Sequence, residues 1–132
     1  AVNNDHTDRS PFRSVKENGA GYLLTSKRVS DFMELYKSCD ADLQNPYFAP
    51  LLAENFSNQP DTLIITAEFD PLRDEGEAYG RKLEQAGNRV EIVRMKDALH
   101  GFISLSPRYA HVRKSYLLIN RFLGCSCPAD PE

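Results

Sequence analysis

Two residues that can hold or move a proton each follow an apolar segment of this sequence. Asp70 comes directly after TLIITAEF, and His100 comes directly after VEIVRMKDAL. The intervening residues, PLRDEGEAYGRKLEQAGNR, have a helical pattern, so the order is strand, helix, strand. Because residues just past neighbouring parallel strands meet at one edge of a sheet, we expect Asp70 and His100 to lie close together.

A carboxylate beside an imidazole can form the acid and base of a Ser-His-Asp triad. The carboxylate holds one ring nitrogen, and the other nitrogen takes a proton from the nucleophile. Acid before base is also the chain order of α/β-hydrolases, in which a Ser precedes both. That Ser is absent here, because none of the seven glycines forms a G-x-S-x-G elbow and no HGGG-like segment is present.

Both residues also have structural interpretations. Asp70 precedes Pro71, a residue that is tolerated at the first position of a helix, so its carboxylate could cap that helix. A carboxylate has two oxygens and can serve as cap and triad acid together. His100 could cap or pack in the loop before Gly101. A hydrolase that uses Asp70 as its nucleophile is disfavoured, because the further acidic and basic groups of such a site cannot be placed.

Composition narrows the class of protein. The length of 132 residues suits one domain. The net charge of -3, with basic residues mixed among acidic ones, lacks the basic face that nucleic acid binding requires. No apolar run approaches the ~20 residues of a membrane span. Three cysteines do not make a disulfide framework, which favours a reducing, cytoplasmic location.

Periodicity and turn residues predict the main elements. We expect strands at about 62–67 and 90–95, the first of them buried on both faces, and helices at about 26–38, 71–86 and 107–123. Thr25 or Ser26 should cap the first helix, and Gly87 should end the second.

The remaining segments carry weaker signals. Residues 1–24 are expected to be irregular, with His6 exposed, and residues 125–132 to form a frayed tail. The apolar segment 45–52 reads as an extended connector, and it either covers the core or forms a wall of a substrate pocket.

Residues 60–101 resemble the carboxyl-terminal part of the hormone-sensitive-lipase-like esterases, a branch of the α/β-hydrolase fold. The resemblance is carried by AEFDPLRDEG at residues 67–76, followed about thirty positions later by HGF at residues 100–102. GYLLT at residues 21–25 and NPYFAPLL at residues 45–52 are also similar to that family.

The resemblance implies that residues 1–132 are the carboxyl-terminal half of one α/β-hydrolase catalytic domain. It implies hydrolysis of a small-molecule carboxylic ester without metal or organic cofactor, with Asp70 as the triad acid and His100 as the general base. Since the Ser and the oxyanion hole are missing, we expect this chain to be inactive alone. The expected partner is an amino-terminal half that carries the nucleophile, or a second copy paired through the exposed sheet edge. A non-catalytic βαβ interaction module is the alternative.

Overall fold

The computed structural model describes residues 1–124, which fall into two compact units, residues 1–100 and the residues from Gly101 onward. The first unit contains helices α1 (Arg13–Asn18), α2 (Ser26–Tyr36) and α3 (Arg73–Gln85), strands β1 (Thr62–Phe69) and β2 (Val90–Leu99), and 3-10 helices at Asp40–Gln44 and Pro50–Leu52. The second contains a 3-10 helix, Phe102–Ser104, and helix α4 (Ala110–Phe122). None of the helices within residues 1–124 is long and apolar enough to span a membrane.

Strands β1 and β2 pair in parallel and are connected by α3, so the predicted βαβ unit is present. The pairing runs from Thr62 opposite Val90 to Phe69 opposite Leu99. Both strands therefore continue past their predicted ends at 67 and 95. The sequence pattern missed these extensions because polar residues interrupt the apolar run while the backbone remains in the ladder.

Helix α3 packs against both strands at a glycine. A Cβ atom on Gly80 would lie 2.8 Å from Ile64 Cδ1 and 2.7 Å from Ile92 Cδ1, closer than these atoms can approach. One turn further, Leu83 is 1% exposed, as is Met95 of β2. The absence of a side chain at Gly80 thus lets the helix lie close to the sheet that carries Asp70 and His100 at its strand ends.

The predicted helix ends are correct where a specific cap defines them. The Thr25 hydroxyl accepts a hydrogen bond from the Arg28 N–H at 3.2 Å, and Gly87, just past α3, has φ of +88°. The starts predicted at 71 and 107 are wrong, since α3 begins at Arg73 and α4 at Ala110. Pro71 and Pro107 lie in turns that precede the two helices, so each proline marks the turn and not the first helical residue.

Three other predictions for residues 1–100 are wrong. Residues 1–24 are not wholly irregular, because they contain α1, and His6 is 2% exposed because it pairs with buried Glu75. Residues 63–65 of β1 are only partly buried. These side chains are therefore not buried on both faces of the sheet within residues 1–124. β1 also has an unpaired edge, because β2 is the one described strand that pairs with it. The frayed tail predicted at 125–132 lies outside the described residues.

Two glycines of α3 provide a matched test of this close packing. Gly76→Ala should raise the free energy of unfolding by about 0.5–1 kcal/mol, since alanine favours helix and the new Cβ meets only Thr66 Cγ2 at 3.5 Å. Gly80→Ala should instead lower it by about 1–3 kcal/mol, because the methyl group overpacks the sheet contact. Urea denaturation measures both values, and equal stabilisation by the two substitutions would contradict the account of Gly80.

Candidate active site

The structure brings both predicted site residues together. His100 Nδ1 lies 2.7 Å from Asp70 Oδ2, a hydrogen-bonding distance. The Asp70 side chain is 12% exposed and that of His100 is 40% exposed, so the carboxylate is largely buried and the imidazole faces solvent in part. Because a carboxylate only accepts hydrogen bonds, Nδ1 is the donor, and in the neutral imidazole Nε2 is left as an acceptor.

The strand register explains why these side chains meet. Phe69 and Leu99 are the last residues of their strands and lie opposite each other, so the next residues, Asp70 and His100, emerge side by side. The pairing is not uniform, however, because the register shifts between Ala67 and Phe69. The convergence at the strand ends was expected from the sequence, whereas the shift was not.

Asp70 has the double role that its two oxygens permit. Oδ2 contacts His100, and Oδ1 accepts a hydrogen bond from the Leu72 N–H at 2.8 Å. Leu72 is the residue that precedes the first turn of α3, so Asp70 caps the turn before the helix and not the helix itself. The capping interpretation and the pairing with His100 therefore describe the same side chain.

Helix α1 supports the segment around Asp70 through side chains that sequence reasoning did not select. The Asn18 amide donates to the backbone oxygens of Glu68 at 3.2 Å and Asp70 at 3.4 Å. The Arg73 guanidinium donates to the same Glu68 oxygen at 2.9 Å. Asn18 is buried, and its position next to Gly19 suggested only a turn, so its sequence context gave no sign of this contact.

A direct contact between α1 and α3 involves Ser14 and Asp74. The Ser14 N–H donates to Asp74 Oδ2 at 2.8 Å, and the Asp74 N–H donates to Ser14 Oγ at 3.1 Å. The Ser14 hydroxyl also donates to the Pro71 carbonyl at 2.8 Å. Burial opposes ionisation of Asp74, but hydrogen bonds from Arg73 and from the Ser14 N–H outweigh burial and lower the pKa of Asp74.

His100 lines a cavity of about 520 Å³ whose walls are mainly apolar. Within residues 45–52, Tyr47, Phe48 and Pro50 contribute to these walls, which favours the pocket-wall interpretation of that segment. The Phe48 ring lies 5.4 Å from the ring of Tyr36. The other lining residues come from the amino-terminal segment, from α2 and from the residues just before α2 and α3: Ala1, Asn3, Leu24, Val29, Phe32, Met33, Tyr36 and Leu72.

A second imidazole–carboxylate pair lies elsewhere in this unit and is fully buried. His6 Nε2 is 2.6 Å from Glu75 Oε2, and the Val2 N–H donates to Glu75 Oε1 at 2.7 Å. Both side chains are at most 1% exposed, so this pair is closed to solvent, unlike that of Asp70 and His100.

Within residues 1–124, no group of three or more His, Cys, Asp or Glu side chains could hold a metal ion.

Protonation of Asp74 should weaken the contact between α1 and α3. The pKa of Asp74 is lowered by folding, so its stabilising effect is complete above its ordinary pKa of 3.8 and is lost as the pH falls through the lower folded value. Asp74→Asn should therefore be less stable than the parent chain at pH 6, and the difference should shrink below about pH 4. Urea unfolding at several pH values measures the difference; a pH-independent difference would contradict this account.

Comparison with known proteins identifies the fold family. A family model described as the alpha/beta hydrolase fold matches residues 2–104. An arylesterase of Saccharolobus solfataricus is 39% identical over 97 residues, which are 73% of this chain and 31% of that enzyme. An ethyl acetate hydrolase of Pseudomonas putida is 41% identical over 100 residues, or 75% of this chain and 31% of that enzyme.

Solved structures agree with the sequence matches. An esterase from Pyrobaculum calidifontis superposes with a TM-score of 0.82 at 36% identity, covering 92% of this chain and 39% of that one. A thermostable carboxylesterase from a metagenomic library gives the same TM-score of 0.82 at 31% identity, over 96% of this chain and 43% of that one. The chain thus spans only about a third of the curated relatives. It belongs to the α/β-hydrolase fold family, in the hormone-sensitive-lipase-like esterase branch, and forms part of that fold.

Proposed function

We propose that this chain supplies the acid and the base of a Ser-His-Asp triad that hydrolyses carboxylic esters. Asp70 is the acid and His100 is the base. The observation that carries the proposal is the 2.7 Å hydrogen bond between them at the carboxyl ends of two parallel strands. Relatives named as an arylesterase, an ethyl acetate hydrolase and a carboxylic ester hydrolase support ester hydrolysis as the reaction.

The geometry of the pair suits the proton transfers of this reaction. Asp70 accepts the hydrogen bond of Nδ1–H, which leaves Nε2 of His100 free to take the proton of a serine hydroxyl as its oxygen attacks the ester carbonyl. The imidazolium that forms is stabilised by the Asp70 carboxylate. Nε2 then returns the proton to the leaving alcohol, and a water molecule repeats the sequence to release the acid.

The apolar cavity next to His100 supports a small ester as the substrate. Such a cavity buries the hydrocarbon part of a ligand, while a few polar groups fix its orientation. The cavity volume of about 520 Å³ falls within the ~300–1,000 Å³ of typical small-molecule sites. Phe32 and Met33 of α2 and Phe48 of the connector give it an apolar lining, whereas His100 provides the reactive end.

The nucleophile must come from outside these 132 residues, since the sequence contains no G-x-S-x-G elbow. We infer an amino-terminal half of the same catalytic domain as its source, with residues 1–132 as the carboxyl-terminal half. Two features of β1 support this inference. Among the described strands β1 pairs with β2 alone, and its residues Leu63, Ile64 and Ile65 are partly exposed. An apolar strand with an unpaired edge favours association with a further strand. A second copy of this chain could cover that edge but would bring no serine elbow.

The alternative is a non-catalytic βαβ interaction module that retains the fold. The missing serine favours it, and the half-exposed His100 beside an apolar cavity favours the enzyme. Asp70 is a poor candidate for a nucleophile, because its oxygens already bind His100 and the Leu72 N–H. A cytoplasmic location stays a prediction from the cysteine content; Cys39, the cysteine within residues 1–124, is free and exposed.

The chain alone should not turn over p-nitrophenyl acetate above the rate of free imidazole at the same concentration. A general base contributes only about 10²–10⁴-fold and requires a nucleophile to act on. Release of p-nitrophenol measures the reaction. Rapid turnover that His100→Ala abolishes would show that this chain holds a complete site.

Adding the missing part should restore activity. We expect a fusion of this chain to the part of the Pyrobaculum calidifontis esterase that it does not match to hydrolyse p-nitrophenyl esters. His100→Ala and Asp70→Asn should each lower kcat by about 10²–10⁴-fold, since they remove the base or the group that orients it. Asp61→Asn is the matched control, because Asp61 precedes β1 at the opposite end of the strand and pairs with Arg89.

An active fusion that tolerates both substitutions at Asp70 and His100 would contradict the proposed roles. A fusion that folds with the cooperative unfolding of the related esterase but has no activity would favour the interaction module.

A further inference from the structure

We infer that Glu68 is a positioning residue for His100, acting through an irregular segment of β2. The inference deepens the proposed function and rests on it, because it concerns how the base reaches the acid. Glu68 lies two residues before Asp70, and its side chain extends to the neighbouring strand.

The strand register shows that β2 contains extra residues just before His100. From the pair Ala67–Met95 to the pair Phe69–Leu99, β1 advances by two residues and β2 by four. In a regular parallel ladder Phe69 would lie opposite Asp97. His100 would then lie two residues, or about 6–7 Å, beyond Asp70 in the direction of the strands. The extra residues therefore set the position of the imidazole.

Asp97 is the centre of this bulge. Its φ of +58° is in the left-handed region, which Asp and Asn tolerate better than most residues other than glycine. A bulge leaves a backbone group without its ladder partner. Here the Asp97 N–H donates to the Glu68 carboxylate, Oε2, at 2.7 Å. A hydrogen bond to a carboxylate is stronger than one to a neutral acceptor, so it favours the bulged conformation over the regular ladder.

The position of Glu68 is itself well defined. Its backbone oxygen accepts hydrogen bonds from Asn18 and Arg73, and its side chain then bridges to β2. Asp97 is exposed, so apolar packing of its side chain does not hold the bulge. The Glu68 carboxylate thus links the backbone that ends in Asp70 to the backbone that ends in His100.

Nuclear magnetic resonance of the His100 ring protons tests this role in the chain as it exists. Asp70→Ala provides the reference spectrum of a broken pair. We expect the His100 ring resonances of Glu68→Ala to move to, or most of the way to, those of Asp70→Ala. Glu68→Gln should retain the parent positions, because its amide oxygen can still accept the Asp97 N–H. Parent-like His100 resonances in Glu68→Ala would overturn the inference.

A second pair of variants decides the matter if Glu68→Ala does not fold. Asp97→Gly keeps easy access to positive φ, whereas the β-branched side chain of Asp97→Val disfavours it. The glycine variant should give parent-like His100 resonances and the valine variant those of the broken pair. Identical spectra from the two variants would overturn the inference.

The fusion enzyme separates this inference from the proposed function. If the triad proposal and the Glu68 inference both hold, Glu68→Ala lowers kcat of the fusion with little change in KM, whereas Glu68→Gln keeps kcat near the parent value. In a fusion that already carries His100→Ala, Glu68→Ala should lower kcat no further. If the ring resonances respond as expected while the fusion has no activity, Glu68 positions His100 but the triad proposal fails. If the fusion is active and Glu68→Ala changes neither kcat nor the resonances, the triad proposal stands and the inference about Glu68 fails.

Discussion

The hydrogen bond between the Asp70 carboxylate and His100 Nδ1 is the interaction on which this site depends. It joins two loops that are thirty residues apart and that come together only because their strands pair in parallel. A hydrogen bond to a charged group contributes about 1.5–3 kcal/mol, and a buried carboxylate left without its partner costs a comparable amount. The pair therefore defines both the orientation of the imidazole and the nitrogen that remains available to accept a proton.

Three structural features bring the pair to this geometry. Gly80 lets α3 approach the sheet closely, so the crossover that separates the two residues is compact. The bulge at Asp97 takes up two extra residues of β2, so His100 lies level with Asp70 in the direction of the strands. Helix α1 binds the backbone carbonyls of Glu68, Asp70 and Pro71 through Asn18 and Ser14. Gly80 acts through packing. The bulge and helix α1 act through hydrogen bonds to the backbone near the carboxyl ends of the strands.

The sequence predicted the βαβ unit, because apolar β-branched runs mark strands locally. It predicted that Asp70 meets His100, because the carboxyl ends of neighbouring parallel strands converge in any such sheet. It predicted caps well where one residue type determines them, as at Thr25 and Gly87. It did not predict α1, the burial of His6 or the bulge. Each of these depends on partners far away in the chain, such as Glu75 for His6 and Glu68 for Asp97, and no local pattern marks such contacts.

The partial exposure of β1 was also missed, for a related reason. An apolar run such as residues 63–65 indicates that a strand is suited to burial, but the covering segment has to be supplied by other residues. Within residues 1–124 the sheet has two strands, and the run is only partly buried. The same limit applies to the candidate site, since the paired carboxylate and imidazole are present without a G-x-S-x-G elbow in the sequence.

The tautomer of His100 tests the central claim most directly, because it reports which ring nitrogen holds the proton in the contact with Asp70. Long-range proton–nitrogen correlation spectra of the chain, recorded at a pH where the imidazole is neutral, distinguish the two nitrogens by their chemical shifts. The account predicts a proton on Nδ1 and an unprotonated Nε2. A proton on Nε2, or an equal mixture of tautomers typical of a free imidazole, would contradict it.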